Sequence, residues 1–287
     1  MNEMLFPPPL AVVSRIVALA LEEDLGRGDV TTSACVPHGT HGVALLRARK
    51  DAVVSGVGVV RETFLQVDPS VRVEILAPDA ARVAKGQGVA RIEGPAASIL
   101  MGERVALNFV QRMSGVATLT RAHVDAIPAG SRTRIADTRK TTPGLRPLER
   151  YAVRCGGGHN HREDLGSAVL IKDNHIAAAG GVKPAIERCR ALAAHTSRIE
   201  CEVDSIPQLR EALDAGADIV MLDNFTDEAV REALGLVAGR AIVEVSGGIT
   251  IDRITRLASS GVDVISVGAL THSAPAIDLG LDWVEGG

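Results

Sequence analysis

Residues 199–248 read IECEVDSIPQLREALDAGADIVMLDNFTDEAVREALGLVAGRAIVEVSGG. Three short apolar runs stand out: Ile199 to Val203, Ile219 to Leu222 and Ile242 to Val245. Amphipathic segments such as SIPQLREALDAGA separate them. The same rhythm extends outward, with further apolar runs at Arg132 to Ala136, Ala168 to Ile171 and Val264 to Val267, and a second amphipathic segment, TIDRITRLASSG. Strand and helix in regular alternation imply a parallel sheet built from βα units, most economically closed as a barrel. Six clear strands fall short of a complete eightfold barrel.

Polar and glycine residues follow each run: Asp137, Lys172-Asp173-Asn174-His175, Asp204, Asp223-Asn224, Ser246-Gly247-Gly248 and Gly268. Any one of them could be a helix cap or a turn. Six together at the carboxyl ends of parallel strands describe one cleft, where βα barrels carry their sites. Glu202 differs because it lies within its strand, on the face opposite Cys201 and Val203. A carboxylate facing a barrel interior is costly unless it meets a cation or a ligand. With Asp223 one strand further on, Glu202 makes a pair suited to a hard metal such as magnesium, or to ribose hydroxyls. The turns Ser246-Gly247-Gly248 and Val267-Gly268-Ala269 suit a phosphate held by backbone amides.

Between Ser131 and Lys172 there are nine basic residues (Arg132, Arg134, Arg139, Lys140, Arg146, Arg150, Arg154, Arg162, Lys172) and four acidic ones (Asp137, Glu149, Glu163, Asp164), in a chain of net charge −4. Interleaved with Gly156-Gly157-Gly158, His159 and His161, this excess points to an anionic ligand carrying carboxylates or phosphates. Only five lysines occur beside 26 arginines, so Lys140 and Lys172 stand out as compact ammonium groups.

Upstream, Leu10 to Leu25 has helical spacing, and His41 to about Gly94 reads as short strands (Val43 to Arg49, Val53 to Val54, Val71 to Leu76, Val89 to Ile92) separated by turns. Ser98 to Val124 reads as a longer helix, with Ser114-Gly115 as a break. An apolar content of 46% over 287 residues supplies a sizeable core. Aromatic residues make up only 2%, which removes the stacking platforms of single-strand nucleic-acid binders, and a pI near 6.1 argues the same way. Cys35, Cys155, Cys189 and Cys201 have neither disulfide nor metal-ligand spacing, so a reducing cytosol is expected. The apolar run from Leu10 to Leu21 carries Arg15 and lacks a basic leader, which argues against a signal peptide or a membrane span.

Read in order, EDLGRGDVTT (Glu23 to Thr32), ERVALNFVQRMSGVAT (Glu103 to Thr118), DTRKTTPGLRPLERYAVRCGGGHNHR (Asp137 to Arg162), LIKDNH (Leu170 to His175), EVDS (Glu202 to Ser205), MLDNF (Met221 to Phe225), SGGI (Ser246 to Ile249) and VGALTHS (Val267 to Ser273) cover nearly the whole chain. This series resembles the nicotinate-nucleotide pyrophosphorylase, or quinolinate phosphoribosyltransferase, family. The combination DTRKT…GGGxNHR…IKDNH is its most specific part. Cys201 stands where a Val or similar residue is expected and disturbs no ligand.

The resemblance implies an N-terminal α/β sandwich (1–113, with 270–287 packing back on it) and an incomplete α/β barrel of parallel strands (114–269). It implies magnesium-dependent transfer of phosphoribose from phosphoribosyl pyrophosphate to quinolinate, with decarboxylation, in NAD biosynthesis. Arg104, supplied by a neighbouring subunit, would bind quinolinate with Arg139, Lys140, His161 and Arg162. Lys172, Glu202 and Asp223 would serve the donor and its Mg2+, directly or through pyrophosphate, with Lys140, Lys172, Glu202 and Asp223 as the catalytic set. Ser246, Gly247, Gly248, Gly268 and Ala269 would hold the 5′-phosphate. A homodimer or multiple of dimers is implied, with neither nucleic acid nor membrane as partner. Three alternatives stay open: a relative acting on another anionic ring, such as nicotinate or the acceptor of the molybdenum-transport-associated branch; a non-catalytic phosphometabolite-binding barrel; and a structural or nucleic-acid-binding protein, disfavoured by the acidic pI and missing aromatics.

Overall fold

The structure is a computed structural model that describes residues 5–284; Met1 to Met4 and the last three residues of the predicted C-terminal return lie outside them. Its elements, in chain order, begin with α1 (Leu10–Leu25), α2 (Val30–Cys35), β1 (His41–Ala48), β2 (Ala52–Val53), α3 (Val57–Val67), β3 (Arg72–Ile75), β4 (Arg82–Val83), β5 (Gly88–Pro95) and α4 (Ala96–Asp125). Then come β6 (Arg134–Ala136), α5 (Arg146–Cys155), β7 (Val169–Ile171), α6 (Asp173–Ala179), α7 (Val182–Leu192), β8 (Ile199–Val203), α8 (Ile206–Asp214) and β9 (Ile219–Asp223). The chain continues through α9 (Asp227–Val237), β10 (Ile242–Ser246), α10 (Ile251–Ser260), β11 (Val264–Ser266), α11 (Ala269–His272) and β12 (Leu279–Val284). Two compact units result: Met1–Arg121 with Thr141–Gly157 and Ala269–Gly287, and Ala122–Lys140 with Gly158–Gly268.

The first unit is organised on a four-stranded antiparallel sheet of order β12-β1-β5-β3. Alternation along β1 buries Ala44, Leu46 and Ala48. These join Val89 and Ile92 of β5, Phe64 of α3, and Ile99 and Val110 of α4 in one core. Strand β12 runs beside β1 with Val43 opposite Val284, so the C-terminal segment completes this sheet.

Three sequence expectations fail in this unit, each for a physical reason. The stretch from His41 to Gly94 is not strands alone, because Val57–Val67 is helical. Its first free amides, those of Gly56 and Val57, donate to Asp79 Oδ1 at 2.7 and 3.1 Å, an N-terminal cap supplied from across the fold rather than by a neighbour in sequence. Second, α4 runs unbroken through Ser114-Gly115. Ser114 Oγ accepts the Ser55 amide at 3.1 Å, and a Cβ on Gly115 would lie 2.1 Å from the Pro275 carbonyl oxygen, so these small residues admit neighbouring backbone instead of ending the helix. Third, the basic stretch is not one cluster. Arg146, Arg150 and Arg154 lie on α5 in the first unit. There Glu149, 1% exposed, accepts from Arg112 Nη2 at 2.8 Å and from the Thr142 hydroxyl and amide at 2.7 and 3.0 Å.

The second unit holds a six-stranded parallel sheet of order β6-β11-β10-β9-β8-β7, the six strands expected from the apolar runs. Helices α7 to α10 bury Ile186, Leu209, Val230, Ile254 and Leu257. Beyond β6, His159 forms a parallel bridge with Ala136. Among the described residues no pairing joins β7 to that bridge, so the sheet remains an incomplete barrel.

Candidate active site

Register decides which side chains share a face. Glu202 lies opposite Met221, Met221 opposite Glu244, and Asp223 opposite Ser246. With a period of two, Glu200 and Glu202, Met221 and Asp223, and Glu244 and Ser246 all project from one side of the sheet. Lys172 follows Ile171, which pairs with Cys201, and so falls beside Glu202. Its ammonium forms an ion pair with Glu202 Oε2. That answers the question raised by a carboxylate inside the barrel, because the cation it requires comes from the next strand end.

A pocket of about 250 Å3 opens on this face, lined by Thr138, Arg139, Lys140, His161, Arg162, Leu170, Lys172, Glu202, Met221, Asp223, Ser246 and Ser266. Arg139, Lys140, His161, Arg162, Lys172, Glu202, Asp223 and Ser246 were expected from the sequence, and the structure brings them together. Gly247 and Gly248 form the turn after β10 and Gly268 follows β11, next in chain to lining residues Ser246 and close to Ser266. Arg104 lies on α4 and Ala269 begins α11, both in the first unit.

Backbone geometry explains the glycine turn. Gly247 has φ +87°, and a Cβ there would meet Asn224 Oδ1 at 2.1 Å; Gly248 has φ +58°, and a Cβ there would meet only Arg253 Nη1, at 3.9 Å. Asn224 Nδ2 in turn donates to Asp223 Oδ2 at 2.7 Å, and its amide donates to the Ser246 carbonyl at 3.1 Å. Arg253 of α10 secures the same region, donating to the Gly247 carbonyl at 2.7 Å and to the Phe225 carbonyl, while its Nε meets Asp227 Oδ1 at 3.0 Å. The turns after β9 and β10 are therefore fixed by one guanidinium that sequence reasoning did not single out.

Beneath the lining is a buried polar layer. The fully buried Asp137 accepts from the His161 amide at 2.7 Å and from Asn160 Nδ2 at 2.6 Å, so it organises the loop that carries His161 and Arg162. His161 Nε2 lies 3.3 Å from Glu200 Oε2 and 3.5 Å from Glu244 Oε1, and its Nδ1 accepts the Arg162 amide at 2.8 Å. Glu200 and Glu244 are 5% and 4% exposed. Burial, reinforced by the charge of Glu200, pushes the Glu244 carboxyl up to about 7. Burial opposes charge on His161, but Glu200, Glu244 and Asp137 outweigh it and raise its pKa. Burial, together with the neighbouring Arg139, lowers the pKa of Arg162. The Cys201 thiol, raised to about 12 by burial and by the Glu202 and Glu200 charges, offers no thiolate.

The sequence reading passed over Glu200 and Glu244. The available signal was alternation: in IECEV, Glu200 sits two residues from Glu202 and must share its face. Glu244, a lone carboxylate in IVEVS, carried no such companion.

Fold and pocket together define an α/β protein whose pocket lies at the carboxyl ends of its parallel strands, between a wall of cations and a pair of carboxylates. Two family models, described as the N-terminal and C-terminal domains of quinolinate phosphoribosyl transferase, match residues 29–114 and 116–282. The chain belongs to the quinolinate phosphoribosyl transferase family. It is 42% identical over 260 residues to a probable carboxylating nicotinate-nucleotide pyrophosphorylase of Bacillus subtilis, covering 91% of this chain and 89% of that protein. It is also 42% identical over 279 residues to a probable counterpart in Methanocaldococcus jannaschii, covering 94% and 97%. Among solved structures, the nicotinate-nucleotide pyrophosphorylase of Francisella tularensis superposes with a TM-score of 0.93 at 38% identity, covering 99% of this chain and 100% of that one. Among the described residues, no helix is long and apolar enough to cross a membrane.

Proposed function

We propose that the protein transfers phosphoribose from phosphoribosyl pyrophosphate to quinolinate and releases pyrophosphate, carbon dioxide and nicotinate mononucleotide, a step of NAD biosynthesis. The observation that carries this reading is the convergence of Arg139, Lys140, Arg162 and Lys172 with Glu202 and Asp223 in one pocket of a chain of this family. Quinolinate carries two adjacent carboxylates. Cations from three separate segments can grip both, which fixes the direction in which the ring nitrogen points.

In the transfer, the bond from the sugar carbon to pyrophosphate breaks and the bond from that carbon to the ring nitrogen forms, through an oxocarbenium-like sugar. Lys172 offsets charge on the leaving group, while Glu202 or Asp223 steadies the ribose. Once alkylated, the ring nitrogen is cationic. It accepts the electron pair left when the adjacent carboxylate departs as carbon dioxide, and a proton then fills that ring position. No side-chain nucleophile is required. The amides of the Ser246-Gly247-Gly248 turn and of Gly268-Ala269 receive the 5′-phosphate.

Two carboxylates at neighbouring strand ends, Glu202 and Asp223, are hard oxygen donors suited to magnesium. Glu202 already meets Lys172, so Asp223 would be the residue to hold the ion directly. Magnesium bound there would neutralise charge on the departing pyrophosphate.

Arg104 would reach the acceptor from a second subunit of a homodimer or multiple of dimers, a reading supported by its position in the family's ERVALNF run. A cytoplasmic setting is supported by the four free cysteines, Cys35, Cys155, Cys189 and Cys201. The test is release of carbon dioxide and nicotinate mononucleotide from purified protein given quinolinate, phosphoribosyl pyrophosphate and magnesium, with nicotinate as the competing acceptor. Turnover of quinolinate that stops with a chelator supports the proposal. Turnover of nicotinate alone, or tight binding without turnover, overturns it.

A further inference from the structure

The buried layer under the pocket presents a physical puzzle. Glu200 and Glu244 lie below a site lined with cations for an anion, where carboxylates oppose the ligand's charge, and each has an oxygen, Oε1, that is buried without a hydrogen-bond partner. Two largely buried carboxylates are expensive unless they do something that an apolar pair could not. Both converge on a single atom, Nε2 of His161, at 3.3 and 3.5 Å. The ring's other nitrogen accepts the Arg162 amide at 2.8 Å, and the Arg162 guanidinium is itself anchored by an Nη1 bond to the Ala168 carbonyl at 3.2 Å. The His161 amide is held separately by Asp137 at 2.7 Å.

We propose that Glu200 and Glu244 are positioning residues for the acceptor side of the pocket. Acting through His161, they face its Nε2–H, which leaves Nδ1 as the acceptor that fixes the Arg162 amide, so that the Arg162 guanidinium meets the ring carboxylates in one register. The inference rests on reading this pocket as the quinolinate site.

The same three side chains offer ligand atoms within 4.8 Å of one another and could be taken for a metal site. The hydrogen bonding argues otherwise. A backbone N–H aimed at Nδ1 needs the lone pair there, so the neutral ring carries its proton on Nε2, the atom a metal would have to occupy.

One experiment reads the wild-type protein directly. Selective 15N-histidine labelling, with His161→Gln to assign the resonance, should show His161 with Nδ1 unprotonated and Nε2 protonated, unchanged by added zinc or by a chelator. A protonated Nδ1, or a zinc-dependent shift of Nε2, would overturn the proposal. Kinetics of the intact protein supply a second readout. Glu244→Leu should raise the quinolinate KM about tenfold while the donor KM stays within about twofold. Glu244→Gln, which keeps an oxygen able to face Nε2, should recover the quinolinate KM to within about threefold of wild type. An unchanged quinolinate KM in Glu244→Leu, or equal rises in both KM values, counts against positioning. If Glu244→Leu fails to fold, the resonance measurement decides alone. If the wild type does not turn over quinolinate, the functional reading falls, while the tautomer measurement still tests the hydrogen-bond arrangement.

Discussion

Replacing Gly247 by Ala tests whether the turn after β10 is built for a phosphate. The new Cβ faces two separate penalties. At φ +87° an L-residue sits in the left-handed region, which costs about 1–2 kcal/mol. The Cβ would also lie 2.1 Å from Asn224 Oδ1 and 2.7 Å from Asn224 Cγ, so the Asn224 side chain must leave. Leaving breaks its 2.7 Å bond to Asp223, a loss of about 1 kcal/mol. The expected total is about 2–3 kcal/mol, below the usual stability of a folded domain. Folding should survive with Tm lowered by roughly 5–10 °C. Because both the amides and Asp223 move, the donor KM should rise about tenfold or more, and the quinolinate KM should change less. Gly248→Ala is the control. Its φ is +58° and the nearest atom to its Cβ is Arg253 Nη1 at 3.9 Å, so only the backbone penalty applies and the loss should be roughly half as large. Thermal unfolding and steady-state kinetics of both variants suffice. If Gly248→Ala matched or exceeded Gly247→Ala in either readout, or if Gly247→Ala left the donor KM untouched, the assignment of this turn to phosphate would be wrong.

Changing Lys140 or Arg162 to Ala should weaken transition-state binding by roughly 2–5 kcal/mol, seen in kcat/KM for quinolinate with the fold intact by circular dichroism; ordinary turnover in both variants would remove the acceptor assignment. Mixing an inactive Arg104→Ala chain with an inactive Lys172→Ala chain should restore activity through exchanged dimers, and demonstrable exchange without recovery would mean that Arg104 acts otherwise. Arg112→Met leaves Glu149, 1% exposed, without its cation, and should destabilise the first unit by about 3–5 kcal/mol in denaturant unfolding; a loss under about 1 kcal/mol would show that the Thr142 bonds alone satisfy that carboxylate.

The six parallel strands were legible in the sequence because each is a short apolar run flanked by amphipathic segments, a pattern that depends only on local spacing. Lys172, Asp223 and Ser246 of the pocket lining were legible for the same reason, since residues that follow strands gather at one end of such a sheet, whereas Arg139, Lys140, His161 and Arg162 were legible through the family's DTRKT…GGGxNHR run. What escaped depends on distant partners. Val57–Val67 is Val-rich and resembles strand, and it is helical because Asp79 caps it and Phe64 is buried in the core. Ser114-Gly115 carries the composition of a break, yet its small size answers to Ser55 and Pro275, which are remote in sequence. Arg253 looked like one more arginine on an amphipathic helix, and only the fold reveals the carbonyls it meets. Glu244 went unnoticed because a single carboxylate in a strand has no periodic companion; its significance comes from His161, far upstream.

Pairing of β12 with β1 sets an order of events during biosynthesis. Val43 finds its partner at Val284, and Gln111 donates to the Leu279 carbonyl, so the first sheet to be translated cannot be completed until residues 279–284 leave the ribosome. Every strand of the parallel sheet, from Arg134 to Ser266, emerges in the interval. The nascent chain must therefore carry β1 with one unpaired edge throughout that interval, a period in which an exposed strand invites wrong pairing and in which chaperone binding would have its greatest effect.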